Sequence, residues 1–148
     1  MRISSKGRYG LAAMIDLAQN EKLVECVTII SIAERLGISK IYLEQVFSLL
    51  KRSGLVISVK GAQGGYKLAK AKEKITIGEI MRAIEAGLFE KAESSTHKEQ
   101  ATIEKAIDEL VWKPLDSNVD KTLESIFLSQ LVDESSKNQK GKDFMFYI

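Results

Sequence analysis

Side chains that could serve catalysis or metal binding are scarce in this chain. Cys26 is its one cysteine and His97 its one histidine. A single chain can therefore form neither an internal disulfide bond nor a metal site built only from cysteine and histidine. A Ser–His or Cys–His catalytic pair would have to use one of these two residues. We expect no catalytic residues, no metal site and no enzyme activity.

Cys26 has one further possible role. It lies in a polar connection just before Thr28, where a thiol can be exposed to oxidants. An exposed, reactive thiol can act as a redox switch. Most single cysteines are inert, so both interpretations of Cys26 stay open.

Glycine and lysine residues between 55 and 69 indicate a different chemistry. Two apolar runs, LVISV at 55–59 and YKLA at 66–69, flank the tip KGAQGG, which is the pattern of a β-hairpin. Glycines let a backbone approach another molecule closely, lysines neutralise phosphates, and a glutamine can probe a minor groove. We expect nucleic-acid contacts from Lys60, Gly61, Gln63, Gly64, Gly65, Tyr66 and Lys67. The alternatives are an ordinary flexible turn and, for Tyr66, a role in bracing the hairpin.

Two other groups of polar residues point to the same ligand. The segment that starts at Ser39 carries polar side chains that can bind base edges and phosphates in a major groove; these are Ser39, Lys40, Tyr42, Glu44 and Gln45. Near the N-terminus, Ser4, Lys6 and Arg8 can bind phosphate with help from the positive end of a helix. The alternatives are a solvated helix face and a merely charged first segment.

The elements that would position these residues follow from apolar spacing and helix caps. Residues 5–19 predict an amphipathic helix, capped by Ser4 or Ser5, and Thr28 caps a second helix that Gly37 ends. Ser39 caps a third helix, with Leu43, Val46, Phe47 and Leu50 buried, up to Gly54. Two helices joined by the tight turn LGIS and followed by a basic hairpin form a winged helix-turn-helix pattern.

The second half of the chain predicts further helices. Thr76 and Glu79 form a capping-box signature for a helix that runs to Gly87, and residues 89–99 indicate a polar linker. A longer helix is predicted from about 98 to 112, ended by Pro114, with one apolar side; that side holds Ile103, Ala106, Ile107, Leu110 and Val111. Such a side needs a partner, and the simplest is the same helix of a second subunit. One more short helix is predicted from Leu123, Ile126, Phe127 and Leu131, and residues 133–142 look mobile.

The charge of the chain also changes sign near the start of its second half. Residues 1–74 hold 13 Lys and Arg against 6 Asp and Glu, whereas residues 75–148 hold 9 against 14. One half therefore suits a polyanion and the other suits protein.

The predicted fold class is mainly α with a small β-hairpin wing. We expect a winged helix-turn-helix domain at 1–86, a linker and dimerisation helices at 87–132, and a mobile tail with a hydrophobic end at 133–148. The sequence has neither a secretory leader pattern nor an apolar run of about 18 residues, which predicts a cytoplasmic protein with no membrane contact.

Several stretches of this sequence resemble a known family. The opening MRISSKGRYGL, the stretch ISKIYLEQVFSLLKRSGLV, the hairpin VKGAQGGYKLA and the helix start ITIGEIMRAIE are similar to the Rrf2 family of bacterial winged-helix transcription regulators, over roughly residues 1–86. The resemblance implies a homodimer, paired through a long helix after the wing, that binds a partly palindromic DNA operator.

One departure from the family pattern shapes the remaining expectations. Members that carry an iron–sulphur cluster have three cysteines in the segment corresponding to about 88–105, and this chain has none there. The expectation is therefore no cofactor and no iron–sulphur cluster. The cysteine-free segment and the ending MFYI are most similar to the family's cysteine-metabolism repressors, which implies cysteine synthase as a partner. Phe146, Tyr147 and Ile148 would then bind that enzyme's pocket; alternatively they fold back onto their own dimer.

Other functions remain open at this point. A member of the same family can respond to a small molecule, a redox signal or an intersubunit metal. The winged domain can also be a protein-interaction module that does not bind DNA.

Overall fold

A computed structural model describes residues 2–21, 24–62, 64–91 and 101–146, of which 143–146 are described as backbone only. Helices α1, α2 and α3 precede a hairpin of strands β1 and β2, and helices α4 to α7 follow it. Their bounds are α1 Ser5–Asn20, α2 Ile29–Leu36, α3 Lys40–Arg52, β1 Val56–Val59, β2 Gly65–Leu68, α4 Ile77–Ile84, α5 Ala101–Ile107, α6 Lys113–Glu124 and α7 Leu128–Phe146. The expected mainly helical fold with a small β-hairpin is confirmed.

Polar caps fix where the helices of the helix-turn-helix begin. The Thr28 hydroxyl accepts a hydrogen bond from the Ser31 backbone N–H at 3.1 Å, and the Ser39 hydroxyl accepts one from the Tyr42 N–H at the same distance. Between them Gly37 ends α2 with a left-handed φ of 66°. Both caps and the glycine stop are as predicted, and they hold α2 and α3 in a tight turn.

The first and fourth helices begin at caps of the same kind. The Ser4 hydroxyl accepts from the Gly7 N–H at 3.1 Å. At α4 the Thr76 hydroxyl accepts from the Glu79 N–H at 3.1 Å, while the Glu79 carboxylate accepts from the Thr76 N–H at 2.9 Å. The predicted capping box is therefore confirmed.

One hydrophobic core joins the first four helices, the hairpin and the start of α7. Its largest fully buried members are Phe47, Met14, Leu17, Ile32, Leu43, Leu50, Ile75, Ile80, Leu128 and Val46. The predicted inward face of α3 is thus confirmed. Asp16 is buried beside this core and accepts a hydrogen bond from Arg35 Nη2 at 2.7 Å, which joins α1 to α2 and raises the pKa of Arg35.

The hairpin is a short antiparallel ladder extended by a third segment. Val56 pairs with Leu68 and Val59 with Gly65. Val27, in the connection before α2, forms a bridge to Tyr66 with N···O distances of 2.8 and 2.7 Å. The connection between α1 and α2 therefore holds the hairpin against the helices.

Pro114 does not end the helix as the sequence predicts. The chain continues from α5 through a π-helical turn at Asp108–Trp112 into α6, where Pro114 is in the first turn. The Lys113 N–H donates to the Asp108 carbonyl, five residues earlier. A wider turn relieves the clash between the proline ring and the preceding turn, so the helical path survives the proline.

The predicted short helix around residues 123–131 is also wrong. Leu123 belongs to α6, which ends at Glu124. The helix is interrupted at residues 125–127, and α7 starts at Leu128. The break is used for pairing, because Phe127 bridges to Thr76 and the Ile77 N–H donates to the Ile126 carbonyl at 2.8 Å. Residues 133–142, expected to be mobile, lie in α7.

No helix in the described part of the chain is long and apolar enough to span a lipid bilayer.

Candidate nucleic-acid interface

The outward face of α3 gathers four exposed side chains over two turns. Ile41, Glu44, Gln45 and Ser48 follow one another at helical spacing, and all four are exposed. Lys6 of α1 lines the same shallow surface depression. The fold thus brings a predicted phosphate ligand, Lys6, beside two predicted base-reading residues, Glu44 and Gln45.

The other predicted residues of α3 are partly engaged inside the protein. Ser39 uses its hydroxyl as the helix cap, and Lys40 lies 3.5 Å from the Glu44 carboxylate. The Tyr42 ring packs edge-on against the Tyr9 ring, with centroids 5.6 Å apart. Tyr42 therefore helps to hold α3 against α1, and its DNA contact stays a prediction.

The wing presents two lysines to solvent. Lys60 at the tip and Lys67 on β2 are both exposed. Tyr66 is half-buried, and its ring centroid lies 4.7 Å from that of Phe47. Tyr66 therefore braces the wing against α3, and its DNA contact stays a prediction.

The wing glycines have an explanation within the protein. A Cβ atom at Gly65 would lie 2.4 Å from the Val27 carbonyl oxygen, and one at Gly64 would lie 2.4 Å from the Val59 carbonyl oxygen. Gly61 has a φ of 120°, which side chains rarely adopt. The tight wing therefore requires these glycines whether or not the backbone approaches DNA. Gln63 lies outside the described residues.

The predicted N-terminal phosphate site is split by the fold. Ser4 caps α1, and its backbone N–H donates to the Glu85 carboxylate at 2.7 Å. Arg8 lines a different groove, together with residues of α4 and α6, and not the depression beside α3. Of the three predicted residues, Lys6 is the one that the structure places beside α3.

One residue of the outward face was missed from the sequence. Ile41 has 71% of its surface exposed, although isoleucine is normally a core residue. Its position was available from the sequence, because it precedes Glu44 by three residues and Gln45 by four and must share their helix face.

A charged contact fixes α6 to the winged domain. Arg82 of α4 donates to the Glu124 carboxylate and, at 2.8 Å, to Asp120 Oδ1. These hydrogen bonds, chiefly the one to Glu124, raise the pKa of Arg82. The Arg82 guanidinium also lies 4.9 Å from the ring centroid of Phe89. The position of α6 is therefore set by the winged domain.

The two remaining predicted sites are only partly described. Cys26 is half-buried just before Val27. Phe146 is the last residue of α7, while Tyr147 and Ile148 lie outside the described residues. The predicted partner-binding end is therefore not tested by this geometry.

The arrangement defines a class of protein. The structure has a capped helix-turn-helix, an outward face with side chains that can form bidentate hydrogen bonds, and a basic hairpin beside it. These features are typical of a winged helix-turn-helix regulator that binds DNA. The chain belongs to the Rrf2 family, whose model, described as iron-dependent transcriptional regulator, matches residues 3–134.

Curated relatives and solved structures agree with this assignment. The chain is 38% identical over 133 residues to the HTH-type transcriptional regulator IscR of Erwinia tasmaniensis, covering 89% of this chain and 79% of that protein. The structure of CymR, described as the global cysteine regulator of B. subtilis, matches with a TM-score of 0.73 and 34% identity, covering 90% of this chain and 98% of CymR. The structure of T. potens IscR matches with a TM-score of 0.70 and 34% identity, covering 94% and 91%.

The comparisons overturn the expectation of no cofactor. The family is described as iron-dependent, and the curated relatives reported above carry the name IscR. The lack of cysteines in the segment 88–105 does not decide whether the whole chain binds a cofactor. In the part of the chain that the structure describes, no three His, Cys, Asp or Glu side chains lie close enough together to hold a metal ion.

Proposed function

We propose that this chain is a transcriptional repressor that binds a partly palindromic operator as a homodimer in the cytoplasm. The outward face of α3 enters the major groove of each half-site, and the wing lysines hold the flanking phosphates. The observation that carries the proposal is the face itself, where Glu44, Gln45 and Ser48 stand exposed beside Lys6.

Homodimer formation is supported by the region after α4. Helices α5 and α6 and the π turn between them contain no buried residue. Large apolar side chains stand exposed along them, including Leu110 at 79% and Ile103 at 60%. A helix with such a side needs a second apolar surface, and a two-fold dimer supplies it twice.

Selection of bound duplexes tests the DNA-binding proposal. Purified protein is incubated with a randomised duplex library, and the recovered sequences are read after several rounds. We expect a motif with two inverted half-sites centred about 10 base pairs apart or at a multiple of one helical turn. Recovery of unrelated sequences, or of a single unrepeated site, would contradict the proposal.

We further propose that the regulated genes serve cysteine and sulphur metabolism, with cysteine synthase as the partner. The similarity to the structure of CymR supports this choice. In this proposal the residues Phe146 to Ile148 bind the substrate pocket of the enzyme, so that a competing substrate releases the regulator. The coupling to DNA requires that the enzyme bind the free and DNA-bound regulator with unequal affinity.

Removal of the last three residues tests this partner directly. The shortened chain should lose binding to purified cysteine synthase in calorimetry, while its dimer mass and DNA affinity stay unchanged. A chain truncated in this way that still binds the enzyme at full affinity would refute the peptide mechanism.

A second candidate is control by iron or by oxidation. The family description and the curated IscR relatives favour it, as does a solved Staphylococcus aureus CymR in oxidised form, which matches with 36% identity and a TM-score of 0.66. Two measurements test it: the iron content of protein purified without oxygen, and the loss of DNA affinity after peroxide treatment of the wild type and of Cys26→Ser. An iron-free protein with the same peroxide response in both forms would exclude both an iron signal and a Cys26 switch.

A further inference from the structure

We propose that Ile41 reads the methyl group of a thymine in each operator half-site and so sets base preference there. This inference rests on the proposed function, because it assumes that α3 lies in a major groove. It adds an apolar reader to the polar residues Glu44 and Gln45.

Ile41 is far more exposed than the core isoleucines of the same domain. Its side chain is 71% exposed, whereas Ile32, Ile75 and Ile80 of the same domain are fully buried. Ile41 is the second residue of α3, and the N-terminal residues of a recognition helix are the ones that contact base edges. A large apolar side chain is therefore held where bases are read.

Apart from the half-buried Leu49, the residues that line the depression with Ile41 are hydrogen-bonding groups. Glu44, Gln45 and Ser48 share its helix face, and Lys6 lines the same depression. The matching face of a major groove is likewise polar, and the C5-methyl group of thymine is its one apolar feature. Ile41 is the residue of this face that suits that feature.

The spacing to Gln45 makes the inference more specific. The two residues are four apart on α3, which is about 6 Å along a helix axis. Neighbouring base pairs are about 3.4 Å apart, so the two side chains reach positions within about two base pairs of each other. If Gln45 pairs with adenine, the thymine read by Ile41 lies within that distance.

The chain offers a matched control for Ile41. Ile30 is the second residue of α2, as Ile41 is of α3, and it is 54% exposed. It stands on a different helix from the four residues of the reading face. A change of Ile30 to alanine removes the same atoms from an exposed helix start without touching that face.

The experiment uses the duplex recovered by selection and replaces each thymine in turn by deoxyuridine, which removes only the methyl group. Affinity is measured by fluorescence anisotropy for the wild type, Ile41→Ala and Ile30→Ala. At one thymine of each half-site we expect the wild type to lose affinity about four-fold, as for one unburied methyl group. Ile30→Ala should show the same loss, and Ile41→Ala should show almost none.

Other outcomes overturn the inference. If no thymine position affects the wild type, or if Ile41→Ala keeps the full deoxyuridine loss, Ile41 does not read a methyl group, while the DNA-binding proposal stands. If selection recovers no duplex, both proposals fail together.

Discussion

The two halves of this molecule solve the problem of burying apolar surface differently. In the first half, α1 to α4 and the wing enclose a shared core, and fully buried residues such as Met14 and Phe47 occur on several elements. In the second half, α5 and α6 contain no fully buried residue, and of α6 Leu123 packs partly buried against the core. A similar density of apolar residues thus gives a closed core in one half and an open face in the other.

This difference indicates which kind of partner each half suits. The first half closes its core with the start of α7, so its exposed polar residues remain available to a ligand, and its excess of positive charge matches DNA. The second half is held to the first by the start of α7, which packs into the core, and by Arg82 with its two acidic partners on α6. Its exposed apolar side is the surface that a second subunit would cover in the proposed homodimer.

The largest expected effect comes from placing a charge on the exposed apolar side of α5 and the π turn. Leu110→Glu places a carboxylate on its most exposed apolar residue. Because an unpaired charge is costly in an apolar interface, we expect the dimer dissociation constant to rise about 100-fold or more. Sedimentation velocity across a concentration series measures this change.

A control in the adjoining helix α5 distinguishes the loss of the apolar contact from a general effect of added negative charge. Lys105→Glu adds a carboxylate next to Glu109, on the polar side, and should leave the dimer intact. If Leu110→Glu also remains fully dimeric, the second subunit covers another surface.

A smaller effect is expected from the closed half. Gly65→Ala would push a Cβ atom against the Val27 backbone, which holds the wing to the helices. We expect the free energy of unfolding to fall by about 1–3 kcal/mol, as for other overpacked sites. Urea denaturation measures it. Gly87→Ala, where a Cβ atom meets nothing within 4 Å, should change stability by less than about 0.5 kcal/mol, and equal effects of the two would contradict this account.

The smallest effect concerns the pH dependence of the closed half. Burial alone would raise the pKa of Glu79, but hydrogen bonds from Lys70 and from Thr76 outweigh it and lower the pKa below 4.5. A lowered folded-state pKa stabilises the protein above the unfolded value, and this gain disappears as the pH falls from about 5 through the folded pKa. Because the pair with Lys70 is partly exposed, its contribution is below about 1 kcal/mol.

The Glu79→Gln variant isolates this contribution. Its melting temperature should decline less steeply than that of the wild type between about pH 5 and pH 3. Parallel curves for the two proteins would show that Glu79 does not contribute to the acid sensitivity.

Local signals predicted much of the closed half. Caps at Ser4, Thr28, Ser39 and Thr76 are short-range patterns, since hydroxyl and amide lie three residues apart, and all four are confirmed. The buried face of α3 follows from helical spacing in the same way.

Features that depend on contacts between residues far apart in the chain could not be predicted from local sequence patterns. The break at residues 125–127 exists because Phe127 bridges to Thr76, about fifty residues earlier. The reason for Gly65 is likewise the Val27 backbone. The prediction that Pro114 ends a helix was wrong because the π turn at Asp108–Trp112, which ends two residues earlier, changes the local geometry. The exposed Ile41 was missed because an isoleucine in a helix is ordinarily assigned to the core.

The central claim is that the basic half binds duplex phosphates, and its most direct test is the salt dependence of affinity for the selected duplex. We predict that log affinity falls linearly with log salt, with a slope of about −0.9 for each phosphate contact. The double variant Lys60→Ala and Lys67→Ala should make that slope shallower by about 1.8. A wild-type affinity that does not change with salt would contradict the claim.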